Sequence, residues 1–267
     1  MKNPLLLAFL LSWSLARPAA AQTRRSVYGW QLWPEGQAEL ALPGRDYLLL
    51  AVRGQRNTDN NFYSRARLLG FDERRVSAAY EHFWTEHWSG GATLGYVSVN
   101  RIYVLVPELL LRHRSPLGPF TFGQRLSFER DFPSPAGAMS QNFARLRLDL
   151  EKVLPVGQLT LRPRLSYQAE TRVRFLKAEN EPKERTIQFT SLRGEVGCRL
   201  RPSLDFTPWV AYQTNYAIGL AQLDAMGNVA IPAGRVNSVS PVLGVDLRFT
   251  ILQGADAAAR QQLPTQH

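Results

Sequence analysis

The sequence predicts an all-β protein, a transmembrane antiparallel up-and-down β-barrel of about 12 strands, with 10 to 14 admissible. Three observations predict it. The first is the closing stretch 239–251, VSPVLGVDLRFTI. Val239, Pro241, Leu243, Val245, Leu247, Phe249 and Ile251 share one face, and mostly polar residues share the other. A period of two held for about a dozen residues suits a tilted bilayer-crossing strand, whereas soluble strands are about half as long. The second is an export signal: basic Lys2, the apolar run from Leu5 to Leu15, then Ala19-Ala20-Ala21. The third is that no apolar stretch of about eighteen residues follows Gln22, so strands rather than helices must do any spanning.

These features divide the chain into a signal peptide (1–21), a barrel (22–251) and a mobile C-terminal tail rich in Ala and Gln (252–267). The 267 residues suffice for one large β domain. With 45% hydrophobic residues, the 19 glycines and 17 prolines supply turns rather than disorder. Cys198 is the sole cysteine, which excludes an internal disulfide and a cysteine metal cage. The formal charge is +10, and +8 once Lys2 and Arg17 leave with the signal. In a cytosolic chain that would suggest nucleic acid. In an exported one it directs attention to lipid phosphates and anionic solutes.

Strands are expected at 27–33, 37–42, 46–56, 74–85, 92–100, 104–113, 120–130, 143–153, 159–173, 185–200, 204–216 and 239–251. That is an even number, as single-chain bacterial barrels usually have. The first pair depends on a very tight reversal at Pro34-Glu35-Gly36. Short turns recur at 43–45, 89–91, 115–119, 154–157 and 201–203, and longer polar connections at 57–61, 131–141, 177–184 and 223–237. Short turns on one rim and long loops on the other match the periplasmic and extracellular sides of outer-membrane barrels. Pro107, Pro163, Pro208 and Pro241 fall inside strands and should mark bulges or strand ends. Trp30, Trp33, Trp84, Trp88, Phe132, Tyr212 and Tyr216 lie near strand ends, as interface girdles would require.

Charge fixes which face is which. An Arg or Lys facing lipid at mid-depth costs about 2–4 kcal/mol, so the charged face of each strand must be the lumen. Arg125, Glu129, Arg145, Arg147, Asp149, Glu151, Arg162, Arg164, Glu170, Arg193, Glu195, Arg199, Asp246 and Arg248 would all point inward. Excess Arg would favour anions if a path is open. Neighbouring opposite charges would instead pair and fill a barrel of this size, leaving a structural or weakly conducting state, and the second outcome is favoured.

The segments FGQRLSFERDF (122–132) and FARLRLDLEKVL (143–154), the early Trp30 and the pair Gly95-Tyr96 resemble an uncharacterised bacterial outer-membrane barrel family, the domain of unknown function family two-four-nine-zero. The resemblance covers nearly the whole mature chain. It implies a barrel fold and the outer membrane, and it carries no activity and no site residues. Outer-membrane placement in turn implies membrane lipids, lipopolysaccharide and, during biogenesis, the barrel-assembly machinery as partners, with no nucleic acid.

Catalysis finds little support. His113-Arg114-Ser115 has the H-x-S spacing of barrel lipid hydrolases, but Pro116 follows where those enzymes typically carry Asn. Ser115 also opens a short turn, on the rim away from the outer leaflet. There is no G-x-S-x-G or H-E-x-x-H, and His82 and His87 fall on opposite faces of a strand. No metal site, cofactor or catalytic residue is therefore assigned. The basic loop residues Lys177, Lys183 and Arg185 offer a third function, lipid or ligand binding at the surface. Cleavage at the small-residue site predicts that the purified membrane protein begins at Gln22. A mass spectrum retaining residues 1–21 would refute this.

Overall fold

Polar and apolar residues alternate along nearly every described segment, and each alternating run is a strand. The computed structural model describes residues 24–59, 70–99, 102–134, 139–157, 159–174, 185–219, 221–223, 226–231 and 234–252. The signal segment, the tail from 253, Lys177 and Lys183 lie outside them. The strands are β1 (Arg24–Val27), β2 (Gln31–Leu42), β3 (Asp46–Asn57), β4 (Glu73–Phe83), β5 (Trp88–Val99), β6 (Ile102–Leu117), β7 (Phe120–Ser134), β8 (Gln141–Glu151), β9 (Leu154–Val156), β10 (Leu159–Val173), β11 (Phe189–Arg201), β12 (Leu204–Gly219), β13 (Gln222–Leu223), β14 (Val229–Ile231) and β15 (Gly234–Leu252).

Hairpin pairing runs from β2 to β8, on through β10, β11 and β12, and ends at β15. β15 then pairs with β2, closing a ring of eleven strands. β1 and β9 prolong the edges of β2 and β8 along β15 and β10, and β13–β14 is a small hairpin in the last connection. Paired residues lead once around the wall from Leu42 through Asp46, His82, Gly90, Leu111, Leu126, Leu146, Ala169, Thr190, Thr214 and Val239 to Val27. The path starts at one end of the N-terminal strand and returns near the other. This stagger is what strand tilt in a closed barrel demands.

The ring lies within the expected range of strand number, but its seam differs from the even, wholly antiparallel expectation. Pro34-Glu35-Gly36 does not reverse the chain. Pro34, Glu35 and Gly36 pair in parallel with Val245, Asp246 and Leu247. The predicted first hairpin is therefore one strand. A tight turn satisfies few backbone groups, whereas a strand held between β3 and β15 satisfies nearly all of them. Losing one reversal makes the count odd, and β2 and β15 then run in the same direction.

The prolines show how the ladder adapts. Pro34, Pro107, Pro163, Pro208 and Pro241 all lie within strands. Each is paired on one side, with Val245, Leu94, Val196, Val245 and Tyr212 respectively. Beside each, the other ladder skips a step: between Leu32 and Glu35, Leu105 and Glu108, Glu151 and Leu154, Glu195 and Cys198, and Val27 and Gln31. A missing N–H interrupts one ladder and leaves the opposite one intact. At the β6–β7 turn, Leu117 pairs with Phe120 and Gly118 takes φ 57°, the positive value a two-residue hairpin needs.

Outside, the wall is apolar. Leu50, Val52, Leu94, Leu109, Leu126, Leu165, Val210, Leu243, Leu247 and Phe249 are all exposed. Trp84 and Trp88 are exposed at the short-turn rim, and Trp30 and Tyr212 are exposed nearer the long loops. Trp33 is not part of a girdle: it packs inward, edge-on to Trp209 at 5.9 Å between ring centroids. The seam gives a direct test. Ala38 and Phe249 are register partners on the outer face. In a C198S background, Ala38→Cys with Phe249→Cys should form a disulfide under mild oxidation, visible as a mobility change that reductant reverses. No crosslink would mean that β2 and β15 do not meet in this register.

Candidate functional site: the charged lumen

Strand alternation puts every second side chain inside the ring, where neighbouring strands hold their ends a few ångströms apart. The fourteen residues assigned inward from sequence all lie in this interior network. Arg145 bonds Glu129 and Glu170 at 2.8 Å each, with Glu108 at 3.8 Å. Arg125 reaches Glu108 at 2.8 Å, and Arg147 reaches Asp149 at 2.8 Å. Arg164 bridges Glu151 at 3.0 Å and Glu195 at 3.1 Å. Arg193 bonds Glu195 at 2.6 Å and Asp246 at 2.8 Å and lies over the Trp209 ring at 3.9 Å. Trp209 Nε1 donates to the same Asp246 at 2.9 Å. Arg162 and Arg199 share Asp205 at 2.9 and 3.4 Å. Arg248 bonds Glu39 at 3.2 Å and donates to Gln37 at 2.8 Å, tying the two sides of the seam together.

Several interior charges were not assigned from sequence: Glu35, Glu39, Glu81, Glu108, Arg112, Asp205, Arg53 and Arg75. Glu39 sits on the strand that was split at Pro34. Glu108 and Arg112 lie in VLVPELLLRH, where both faces carry apolar residues and the phase is obscured. A signal did exist, because Glu108 and Arg112 share parity along one strand. The acids among them matter, since Glu39, Glu81, Glu108 and Asp205 hold Arg248, Arg112, Arg125, Arg162 and Arg199.

The interior tapers from the long-loop rim. A vestibule of about 560 Å³ is lined by polar side chains including Gln31, Gln55, Asn57, Gln213, Asn215, Ser238 and Ser240. Trp33, Phe189 and Gln213 also border a chamber of about 230 Å³, lined by Arg53, Arg75, Arg145, Arg147 and Arg193, with Glu170 as its one carboxylate. Arg53, Arg75 and Arg145 in turn border a pocket of about 50 Å³. Towards the short turns, Ala41, Tyr47, Leu49 and Leu110 are buried together with the pairs Glu39–Arg248 and Glu81–Arg112.

The hydrolase pair is not assembled. His113 packs on the Trp88 ring at 4.5 Å between centroids, and no hydrogen bond joins it to Ser115 among the described residues. His82 Nδ1 donates a hydrogen bond to Asp46 Oδ1. No group of three or more His, Cys, Asp or Glu side chains among the described residues is arranged to hold a metal ion. Arg185 lies over the Tyr216 ring at 4.0 Å.

No family model matches the chain, and no curated protein matches it. Among solved structures it is similar to the NanC porin, at 12% identity and a TM-score of 0.39, covering 67% of this chain and 78% of that one. It is also similar to the anion-selective porin from Comamonas acidovorans, at 13% identity and a TM-score of 0.33, covering 78% of this chain and 57% of that one. A third is the siderophore receptor PirA from Pseudomonas aeruginosa, at 14% identity and a TM-score of 0.28, covering 79% of this chain and 47% of that one.

Two substitutions test the packing of the network. Asp246→Ala leaves Arg193 and the Trp209 N–H without their shared acceptor, and should destabilise the fold by about 3–5 kcal/mol. Gly244→Ala places a methyl about 2.1 Å from the Trp209 indole and should cost about 1–3 kcal/mol. Both are read from denaturant unfolding in detergent, with exposed Glu86→Ala as a near-neutral control.

Proposed function

We propose that the protein is a non-enzymatic outer-membrane barrel, a structural or weakly conducting small-solute pore that prefers anions. The 230 Å³ chamber carries this reading: five guanidinium groups and one carboxylate face a space that narrows to about 50 Å³ below it. An anion entering from the long-loop rim meets a positive wall, and paired charges then leave little room to pass. The exposed apolar wall supports the membrane. So large an apolar surface around the whole ring is unfavourable in water, and acyl chains would cover it. Long loops would face outward and short turns the periplasm.

Extraction should need detergent, and the folded band should migrate differently before and after boiling. In planar bilayers the protein should give small conductance or none, with any current anion-preferring. Replacing Arg145, Arg147, Arg162 and Arg164 by Gln should lower or reverse that preference. It should also destabilise the barrel, because Glu129, Asp149, Glu151 and Asp205 lose partners. Large cation-selective currents from the wild type would contradict the proposal, as would loss of a measurable lipid hydrolase activity on His113→Ala.

A further inference from the structure

Arg53 and Arg75 stand apart from the other arginines of the chamber. They are direct partners across β3 and β4, so two like charges face each other over the shortest side-chain spacing in the sheet. Arg145, Arg147 and Arg193 each have a carboxylate within 2.8 Å. Among the described residues, neither Arg53 nor Arg75 forms an ion pair. Arg53 is 8% exposed, lies over the Trp33 ring at 4.7 Å, and its buried Nε has no hydrogen-bond partner. The nearest acids act on them at longer range: buried Glu35 is the register partner of Arg53 across β2 and β3 and accepts from Gln37, Glu73 accepts from Gln55 at 2.8 Å, Asp246 bonds Arg193, and Glu129 holds Arg145.

Two guanidinium groups that face each other without a direct ion pair, in a chamber lined by five arginines and one carboxylate, leave donors open to an anion from outside the chain. Both side chains line the chamber that opens into the vestibule. There the lining changes character. Gln31, Gln55, Gln213, Asn215, Ser238 and Ser240 offer donors and acceptors without net charge, and Trp33 and Phe189 offer flat apolar faces where the two spaces meet. Together the two spaces have the volume of a small-molecule site.

We propose that Arg53 and Arg75 bind the oxyanion of a small hydroxyl-rich solute, a sugar carboxylate or sugar phosphate, whose hydroxyl-bearing body lies against the amides and hydroxyls of the vestibule. The inference rests on the anion-preferring lumen proposed above and names what that lumen would hold. Two guanidinium forks suit either oxyanion. The carboxylate and phosphate forms differ in charge and are separated by experiment.

Isothermal titration calorimetry on the full chain in detergent, with gluconate, glucose 6-phosphate, glucose and acetate, tests it without requiring conduction. Gluconate or glucose 6-phosphate should bind, and the stronger identifies the oxyanion. Glucose and acetate should bind at least about tenfold more weakly, each lacking half of the recognition. Arg53→Gln with Arg75→Gln should weaken binding roughly ten- to a hundredfold, the loss expected for charge-assisted hydrogen bonds. Arg75→Gln alone, at the less buried position, should lose at least about tenfold and serves if the double variant does not fold. Binding of glucose or acetate as tight as that of the sugar anions, no binding by either anion, or wild-type binding in the variants would overturn the site. A chloride current without sugar-anion binding leaves the pore and removes the site. Binding without current keeps the site and removes the pore.

Discussion

Arg145 shows what holds the ring in one shape. Its guanidinium stands among Glu108, Glu129 and Glu170, so one side chain on β8 reaches β6, β7 and β10. Burying an ion costs several kcal/mol unless partners return it, and here they come from strands on either side. Arg193 does the same between β11 and β15, and Arg248 between β15 and β2. Such charges are satisfied only when the strands are in register and the ring is closed. Open, each would be stranded against apolar neighbours or drawn to water. The network therefore adds less to net stability than to the uniqueness of the closed state, and it makes slippage of one strand expensive for several others.

Much of this was legible in the chain because a sheet's period of two leaves a plain trace wherever charge and apolar residues alternate. Residues 143–151 and 239–251 are such stretches, and their inward residues follow directly. The trace fails where a strand is apolar on both faces, as in β6, whose Val106 and Leu110 are buried inside while Leu105 and Leu109 are exposed outside. It fails again where a turn-forming triplet sits inside a strand. Pro34-Glu35-Gly36 has the local chemistry of a reversal, and only the presence of β15 beside it decides otherwise. The vestibule was unreadable for a different reason: its amides come from β2, β3 and β12, and nothing local marks them as neighbours.

Proline placement links these observations. Each interior proline gives up a hydrogen bond on one side only, so the wall has narrow gaps in single ladders rather than breaks through a strand. Val245 lies between two of them, Pro34 across the parallel seam and Pro208 across the antiparallel one. The seam is thus bordered by weakened pairing while the Arg248–Glu39 bond and the Trp33–Trp209 contact cross it from inside. Interior polar contacts compensate where the backbone ladder is thinnest.

An odd ring also places its ends differently from an even one. Arg24 lies on the rim of the long loops and Leu252 on the rim of the short turns. In a barrel with an even count both ends share a rim, and a short linker can join them so that the chain may be cut open elsewhere. Here such a linker would have to travel the full height of the wall, through the ion pairs inside or along the apolar surface outside. Joining the first strand of the ring to the last, as a circular permutation requires, therefore takes a linker as long as the wall is high.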